Sequence, residues 1–357
     1  MIGERIRQAR AAAGLSQRKL AEEAGVSAMA ISKYEANSSV PSSKVLLALS
    51  QALGVKVEYF FRTAAVELEE PEYRKHSRLP KKLLRQIEGD VIEQVERFFE
   101  LEEYLPSRPI ETFHVPESVP NHIEDMEAIE AVAVQMRDAW GLGVNPIYEL
   151  MDTLEERGIK VFVSRALHDN KFDGMAANVN GVPIIVVGED WPGDRQRFTL
   201  AHELGHLILK GRLAEHLVEQ EEAAANRFAG AFLVPESEVR KELGERRHRL
   251  EPRELCVLKR AYGLSMQGWM HRAKDLGIIS RSDHLRMVKF FRMKGWHRRE
   301  PCEEYPRESP QLFTQLVFHA LAEELISESK AAELLRLSLE GFHSLRNVDS
   351  ADDPADQ

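Results

Sequence analysis

The stretch His202-Glu203-Leu204-Gly205-His206 constrains this chain more than any other. Two imidazoles four residues apart share one face only on a helix, where both can reach a single cation. Glu203 sits one position round that helix, placed to take a proton from attacking water rather than to bind the ion. Phe198, Leu200, Leu207 and Ile208 surround the motif, so the helix is expected to be buried. A catalytic ion of this kind takes three protein ligands and keeps one position open. The third must come from another element, and Glu219, Glu221 and Glu222 in the next helix all offer a carboxylate.

The surroundings read as strands followed by helices. Ile159–Val163 alternates, Met175–Val179 follows Gly174, and Val182–Val187 is β-prone despite Pro183, which suits an edge or a strand start. Asn180-Gly181 between the last two is a short-range hairpin signal. Two apolar helices are expected near Gln196–Leu209 and Glu219–Leu233, the second closed by Pro235. Mostly helical sequence follows. The fold class is therefore mainly α with a small β-sheet, an α+β arrangement. The strand Val182–Val187 is also a place where an extended peptide would pair by β-augmentation.

The first 62 residues are different in kind. Ile2, Ile6, Ala9 and Ala13 recur at helical spacing until Gly14, and Ser16 caps a second helix through Ala24. Gly25-Val26 makes a tight turn, and Ser27 caps a third helix to about Glu35. A fourth carries Leu46, Leu49 and Leu53 before Gly54. Helix, tight turn and capped helix are what a helix-turn-helix needs to place one helix end in a major groove.

Charge supports that reading. The whole chain carries −10, yet residues 1–62 hold nine Lys/Arg against five Asp/Glu, a balance of +4 that leaves −14 for the rest. A basic module on an acidic body keeps the attraction for phosphate local. No apolar run approaches a membrane span, and the start Met-Ile-Gly-Glu-Arg lacks an export signal, so no membrane partner and a cytoplasmic location are expected. Cys256 and Cys302 lie far apart and outside any Cys-x-x-Cys. They are expected to form neither a disulfide nor a metal site, which suits a reducing compartment.

Residues 63–124 are charged and Pro-punctuated and read as a helical, Pro-rich linker. Within it Leu84, Ile87, Val91, Val95 and Phe98 mark one amphipathic helix. Residues 125–280 hold the metal motif, residues 281–346 form a helical C-terminal region, and the acidic 347–357 is expected to be disordered. The C-terminal region contains a helix capped by Ser327, a turn at Leu337-Ser338 and a second short helix, whose acidic character favours dimerisation or partner docking over DNA.

Residues 1–62, with Leu15-Ser16-Gln17, Leu20-Ala21, Ile31-Ser32 and Leu53-Gly54-Val55, resemble an XRE-type repressor domain. That resemblance implies a phosphate contact for Gln17 and base-edge positions at Ala28, Met29, Ser32 and Lys33, behind the cap Ser27. Ala28 and Met29 suit thymine methyls, leaving polar readout to Ser32 and Lys33. Arg197–His206, followed by Glu222, Asn226, Phe228-Ala229 and Leu233-Val-Pro235, resembles the ImmA/IrrE metallopeptidases, with a zincin-like domain. This resemblance implies Glu222 as third ligand and Asn226 as a hydrogen-bonding orienter of a ligand. Zinc suits two histidines and a glutamate, with manganese as the alternative. His168, Tyr148, Arg197 and His216 are candidates for stabilising an oxyanion, though for each a structural or surface role is favoured over that one.

Together these features predict a dimeric regulator that binds a double-stranded DNA operator and cleaves a specific regulatory protein, in stress response or operon control. The competing expectation is an antitoxin-like autorepressor, with a toxin as partner and a structural or inactive metal site.

Overall fold

The computed structural model describes residues 2–61, 68–73, 80–106, 112–165 and 172–347. Along the chain run α1 (Ile2–Ala12), α2 (Gln17–Glu23), α3 (Ala28–Glu35), α4 (Ser43–Leu53), β1 (Glu69–Tyr73) and α5 (Lys81–Tyr104). Next come α6 (Ala128–Ala139), α7 (Leu150–Glu156), β2 (Lys160–Ser164), β3 (Gly174–Val179), β4 (Val182–Gly188) and α8 (Gly193–Leu209). Then follow α9 (Glu215–Val218), α10 (Glu221–Leu233), α11 (Glu236–Leu243), α12 (Pro252–Tyr262), α13 (Met266–Asp275) and α14 (Arg281–Met293). The last are α15 (Leu312–Ala322), α16 (Glu328–Leu334) and α17 (Leu339–Arg346). The chain is α+β, as the sequence predicts.

These elements gather into two compact units whose boundaries differ from those expected. One draws on Met1–Glu67, Pro80–Glu111 and Pro310–Gln357, the other on Leu68–Leu79 and Thr112–Ser309. The stretch 63–124 is thus no simple linker. Its amphipathic helix is α5, which buries Ile87, Val91, Val95, Phe98 and Leu101 within the first unit. Arg5 of α1 forms a buried ion pair with Glu96 of α5, and Phe98 packs on Phe313, ring centroids 5.4 Å apart. The region 281–346 is likewise divided: α14 belongs to the second unit and α15–α17 to the first. Ser327 and Ser338 cap α16 and α17. Phe342 is fully buried and stacks on Phe318, so this stretch builds core within its own unit. Of the tail, 348–357 lies outside the described residues.

The second unit is organised by a four-stranded sheet in the order β1-β3-β4-β2. β3 and β4 form an antiparallel hairpin, Ala177 opposite Ile184, closed by Asn180 and Gly181 at φ 52° and 77°. That pair of positive φ angles is what Asn-Gly supplies in a two-residue turn. β2 runs parallel to β4 with Val161 opposite Ile185. Because β4 has partners on both sides, Pro183 marks a strand start rather than an edge, and β4 offers no free edge for β-augmentation. Ile184, Ile185, Val186 and Val187 are fully buried.

The cysteines depart from expectation. Cys256 on α12 and Cys302 form a disulfide, Cα atoms 5.6 Å apart across a sequence separation of 46. Gly295, at φ 73°, follows α14 and begins an irregular segment that carries Cys302 back to α12. Spacing along the chain does not reveal such a return.

Candidate metal centre and nucleic-acid interface

The metal motif lies on α8, and the helix is buried as its apolar flanks predict. His202 and Glu203 are each 1% exposed and His206 7%. α10 packs alongside, and Gly205 makes the approach possible. A Cβ there would lie 3.1 Å from the Phe228 ring and 3.3 Å from the Ala225 backbone. The contact brings Glu222 to the two imidazoles.

His202, His206 and Glu222 each offer one ligand atom, all within 4.8 Å of one another. The two Nε2 atoms are 3.1 Å apart. The Glu222 carboxylate oxygens lie 3.5 Å from His202 Nε2 and 3.6 Å from His206 Nε2. Ligands about 2.1 Å from a tetrahedral ion sit about 3.4 Å from each other, so the donor set fits one such ion.

Around these three residues the structure adds a neighbour that the sequence does not assign. His206 Nδ1 faces Glu221 Oε1 at 3.4 Å, which puts a carboxylate behind this imidazole. Asn226 stands one turn beyond Glu222 and lines a neighbouring cavity. Arg197 is buried, and both terminal nitrogens of its guanidinium are engaged. It donates to Ile147 O at 2.7 Å, pairs with Glu308 and lies against the Tyr305 ring. It is a framework residue rather than an oxyanion donor. Tyr148 and His216 are exposed, and His168 lies outside the described residues.

In the other unit α2 and α3 meet at a tight turn. Gly25 has φ 65°, a left-handed conformation that costs glycine little. Ser16 and Ser27 cap the two helices by accepting from Lys19 N and Ala30 N. Leu20 and Ile31 are fully buried between them. That packing leaves Ala28, Met29, Ser32 and Lys33 together on the exposed face of α3. Gln17 is placed differently: its amide donates to Glu35 at 2.7 Å, and the same carboxylate pairs with Arg10. Sequence patterning had no means of pairing Gln17 with a residue at the far end of α3.

A capped helix with an open outer face, and a second unit in which α8 and α10 gather two histidines and a carboxylate, mark a helix-turn-helix module joined to a domain with a metallopeptidase-type residue set. Residues 6–60 match the helix-turn-helix family, and residues 154–274 match the IrrE N-terminal-like domain of the M78 peptidases. The chain joins an XRE-type helix-turn-helix domain to an M78 peptidase-family domain.

Individual relatives cover parts of it. Over 62 residues it is 34% identical to the SPbeta prophage-derived uncharacterized HTH-type transcriptional regulator YonR of Bacillus subtilis (strain 168), 17% of this chain and 57% of that one. Over 60 residues it is 42% identical to an uncharacterized transcriptional regulator in the ATPase CF(0) region of Rhodospirillum rubrum, 17% of this chain and 56% of that one. It is also 25% identical over 249 residues to the protein translocase subunit SecA of Xylella fastidiosa (strain M12), 69% of this chain. The chain spans 24% of the length of that SecA subunit.

Proposed function

We propose that this chain is a cytoplasmic transcription regulator that binds a palindromic operator as a dimer and carries a zinc-dependent endopeptidase acting on a specific regulatory protein. The observation that carries the enzymatic half is the convergence of His202, His206 and Glu222 beside Glu203. A structural zinc ordinarily takes four protein ligands, whereas three with an adjacent carboxylate suit catalysis. No described helix is long and apolar enough to cross a membrane.

When bound, the ion would supply Lewis acidity toward a peptide carbonyl. His202 and His206 would hold it through Nε2, and Glu222 would complete the set. Glu203 would accept a proton from the attacking water and return it to the leaving amine. On α3, Ser32 and Lys33 would read base edges while Ala28 and Met29 pack on thymine methyls. Cleavage of the target would then act in stress response or control of the chain's own operon.

Glu203→Gln tests the enzymatic half, because it removes the basic carboxylate while keeping its size. The variant is expected to retain metal by elemental analysis and to bind the promoter upstream of its own gene. It should lose cleavage of proteins encoded by neighbouring genes. Equal cleavage by wild type and variant, with metal present in both, rejects the assignment.

A further inference from the structure

The metallopeptidase unit holds a cavity of about 770 Å³ beside the three clustered residues. Phe198, one turn before His202, lines it on α8, and Ala223, next to Glu222, lines it on α10. α13 contributes Gln267 and His271. A further part of the wall comes from residues 296–300, Cys302 and Glu304, in the irregular segment between α14 and α15.

Beyond a turn at its start, where Arg298 N and Arg299 N donate to Gly295 O, that segment forms no helix or strand, so the place of its later residues depends on discrete anchors. Glu300 pairs with the buried Lys259 of α12 at 2.9 Å and accepts from Gln267 N at 3.2 Å. Tyr305 O accepts from Gly193 N at 3.1 Å, and Glu308 accepts from Met151 N at 2.8 Å. Between the anchors at 300 and 305 stands the covalent one, Cys302 to Cys256. Cys302 is half-buried and itself lines the cavity.

We propose that Cys256 and Cys302 form a redox-reversible latch on the cavity wall beside the metal centre. Oxidised, the latch fixes 296–304 against α12 and shapes the cavity that receives the peptide. Reduced, it releases that wall and weakens peptide binding, while α8 and α10 keep the three ligands in place. The reductant is a cellular dithiol. One of its thiolates attacks Cys302 Sγ, the Cys256–Cys302 bond breaks, and Cys256 leaves as a thiolate that takes a proton from water. The second thiol of the dithiol then expels Cys302, so two electrons pass to the protein and the reagent ends as a disulfide. The peptidase assignment enters only in naming what the cavity admits.

The test uses the full chain in three forms: oxidised wild type, wild type reduced with a phosphine, and Cys302→Ser. A phosphine avoids the competition of dithiols for zinc. Thiol alkylation with intact mass should count no free thiol in the first form and two in the second. Hydrogen exchange over 296–304, and trypsin cleavage after Arg298 and Arg299, should be slow in the oxidised form. Both should be at least about tenfold faster in the other two, as for a segment released into local opening. Metal content should be the same in all three. Equal exchange and cleavage in the three forms overturns the latch, even if metal binds and a target is cut. Redox-dependent protection, with none of the three forms cleaving the proteins encoded by neighbouring genes, upholds the latch and counts against the peptidase reading instead.

Discussion

His206 turns Nδ1 toward the carboxylate of Glu221, 3.4 Å away, while its Nε2 faces His202 and Glu222. A carboxylate behind a metal-ligating imidazole fixes the tautomer that presents Nε2 and makes that nitrogen more basic. Glu221→Gln is therefore expected to weaken metal affinity about 10- to 100-fold, the usual cost of losing such a partner. Asn226→Ala should leave affinity close to wild type. Competition against a calibrated chelator measures both, and the opposite ranking would return the orienting role to Asn226.

Removing a ligand is a more severe test. His202→Ala, His206→Ala and Glu222→Ala each leave two donors, too few to hold the ion against buffer and chelator. Each purified variant should carry little zinc by elemental analysis, while Glu219→Ala should match wild type. Full metal content in the His202→Ala, His206→Ala double variant would refute the site.

The first unit depends on a pair distant in sequence. Arg5 and Glu96 have side chains only 2% and 4% exposed, and burial, with the nearby Glu96 charge, pushes the Tyr59 phenol up to about 12. Removing one partner of a buried pair leaves an uncompensated charge, so Glu96→Ala should cost about 3–5 kcal/mol. Denaturant unfolding followed by probes in the helix-turn-helix domain measures the loss. A fragment ending at residue 61 also lacks Glu96, and it should be less stable than the same helices in the intact chain.

What the sequence disclosed and what it withheld follow from the range of the interactions. The α8 motif, the serine caps of α2 and α3 and the Asn180-Gly181 turn are local patterns, set by residues a few positions apart. Glu222 came from family resemblance. The positions of Glu221 and Asn226 around the two imidazoles depend on the rotation of α10 against α8, which spacing alone does not fix. Arg5 with Glu96 and Cys256 with Cys302 are long-range pairs with no local signature. β1, Glu69-Glu-Pro-Glu-Tyr73, shows no apolar alternation, and its Pro71 is tolerated because the strand lies at the sheet edge.

Gln17 separates two accounts of the DNA-binding face. Family resemblance assigns it to phosphate, but here its amide is engaged with Glu35, which also holds Arg10. Gln17→Ala should therefore cost a modest amount of stability, on the order of one hydrogen bond to a charged group, about 1.5–3 kcal/mol. It should leave the affinity for DNA close to wild type. Titrations on operator and unrelated DNA decide: an equal loss of affinity on both, at an unchanged salt slope because a neutral amide releases no counterion, would mean that Gln17 turns to a phosphate when DNA binds. Lys33→Ala, on the exposed face of α3, should instead reduce discrimination between operator and unrelated DNA.

The last prediction concerns pH and the C-terminal part of the peptidase-family unit. His284 of α14 is 7% exposed, and its ring meets that of His271 edge-on at 4.7 Å. Burial holds its pKa below the ordinary histidine value, and the charges of His271 and Lys274 lower it further against the opposing pull of Asp275. Burial lowers His271 as well, helped by Lys274. A histidine held low when folded binds its proton more readily once unfolded, so the unfolded state gains protons first as pH drops. Its contribution is fully present above the unfolded value of about 6.5 and declines as pH falls from there toward the folded value. Hydrogen exchange along α14 should accordingly speed up between about pH 7 and pH 5, beyond the intrinsic pH dependence of amide exchange. His284→Leu removes the titrating group while keeping an apolar side chain in the same site, so it should flatten that acceleration. The same pH profile in variant and wild type would show that another group controls the acid response of this helix.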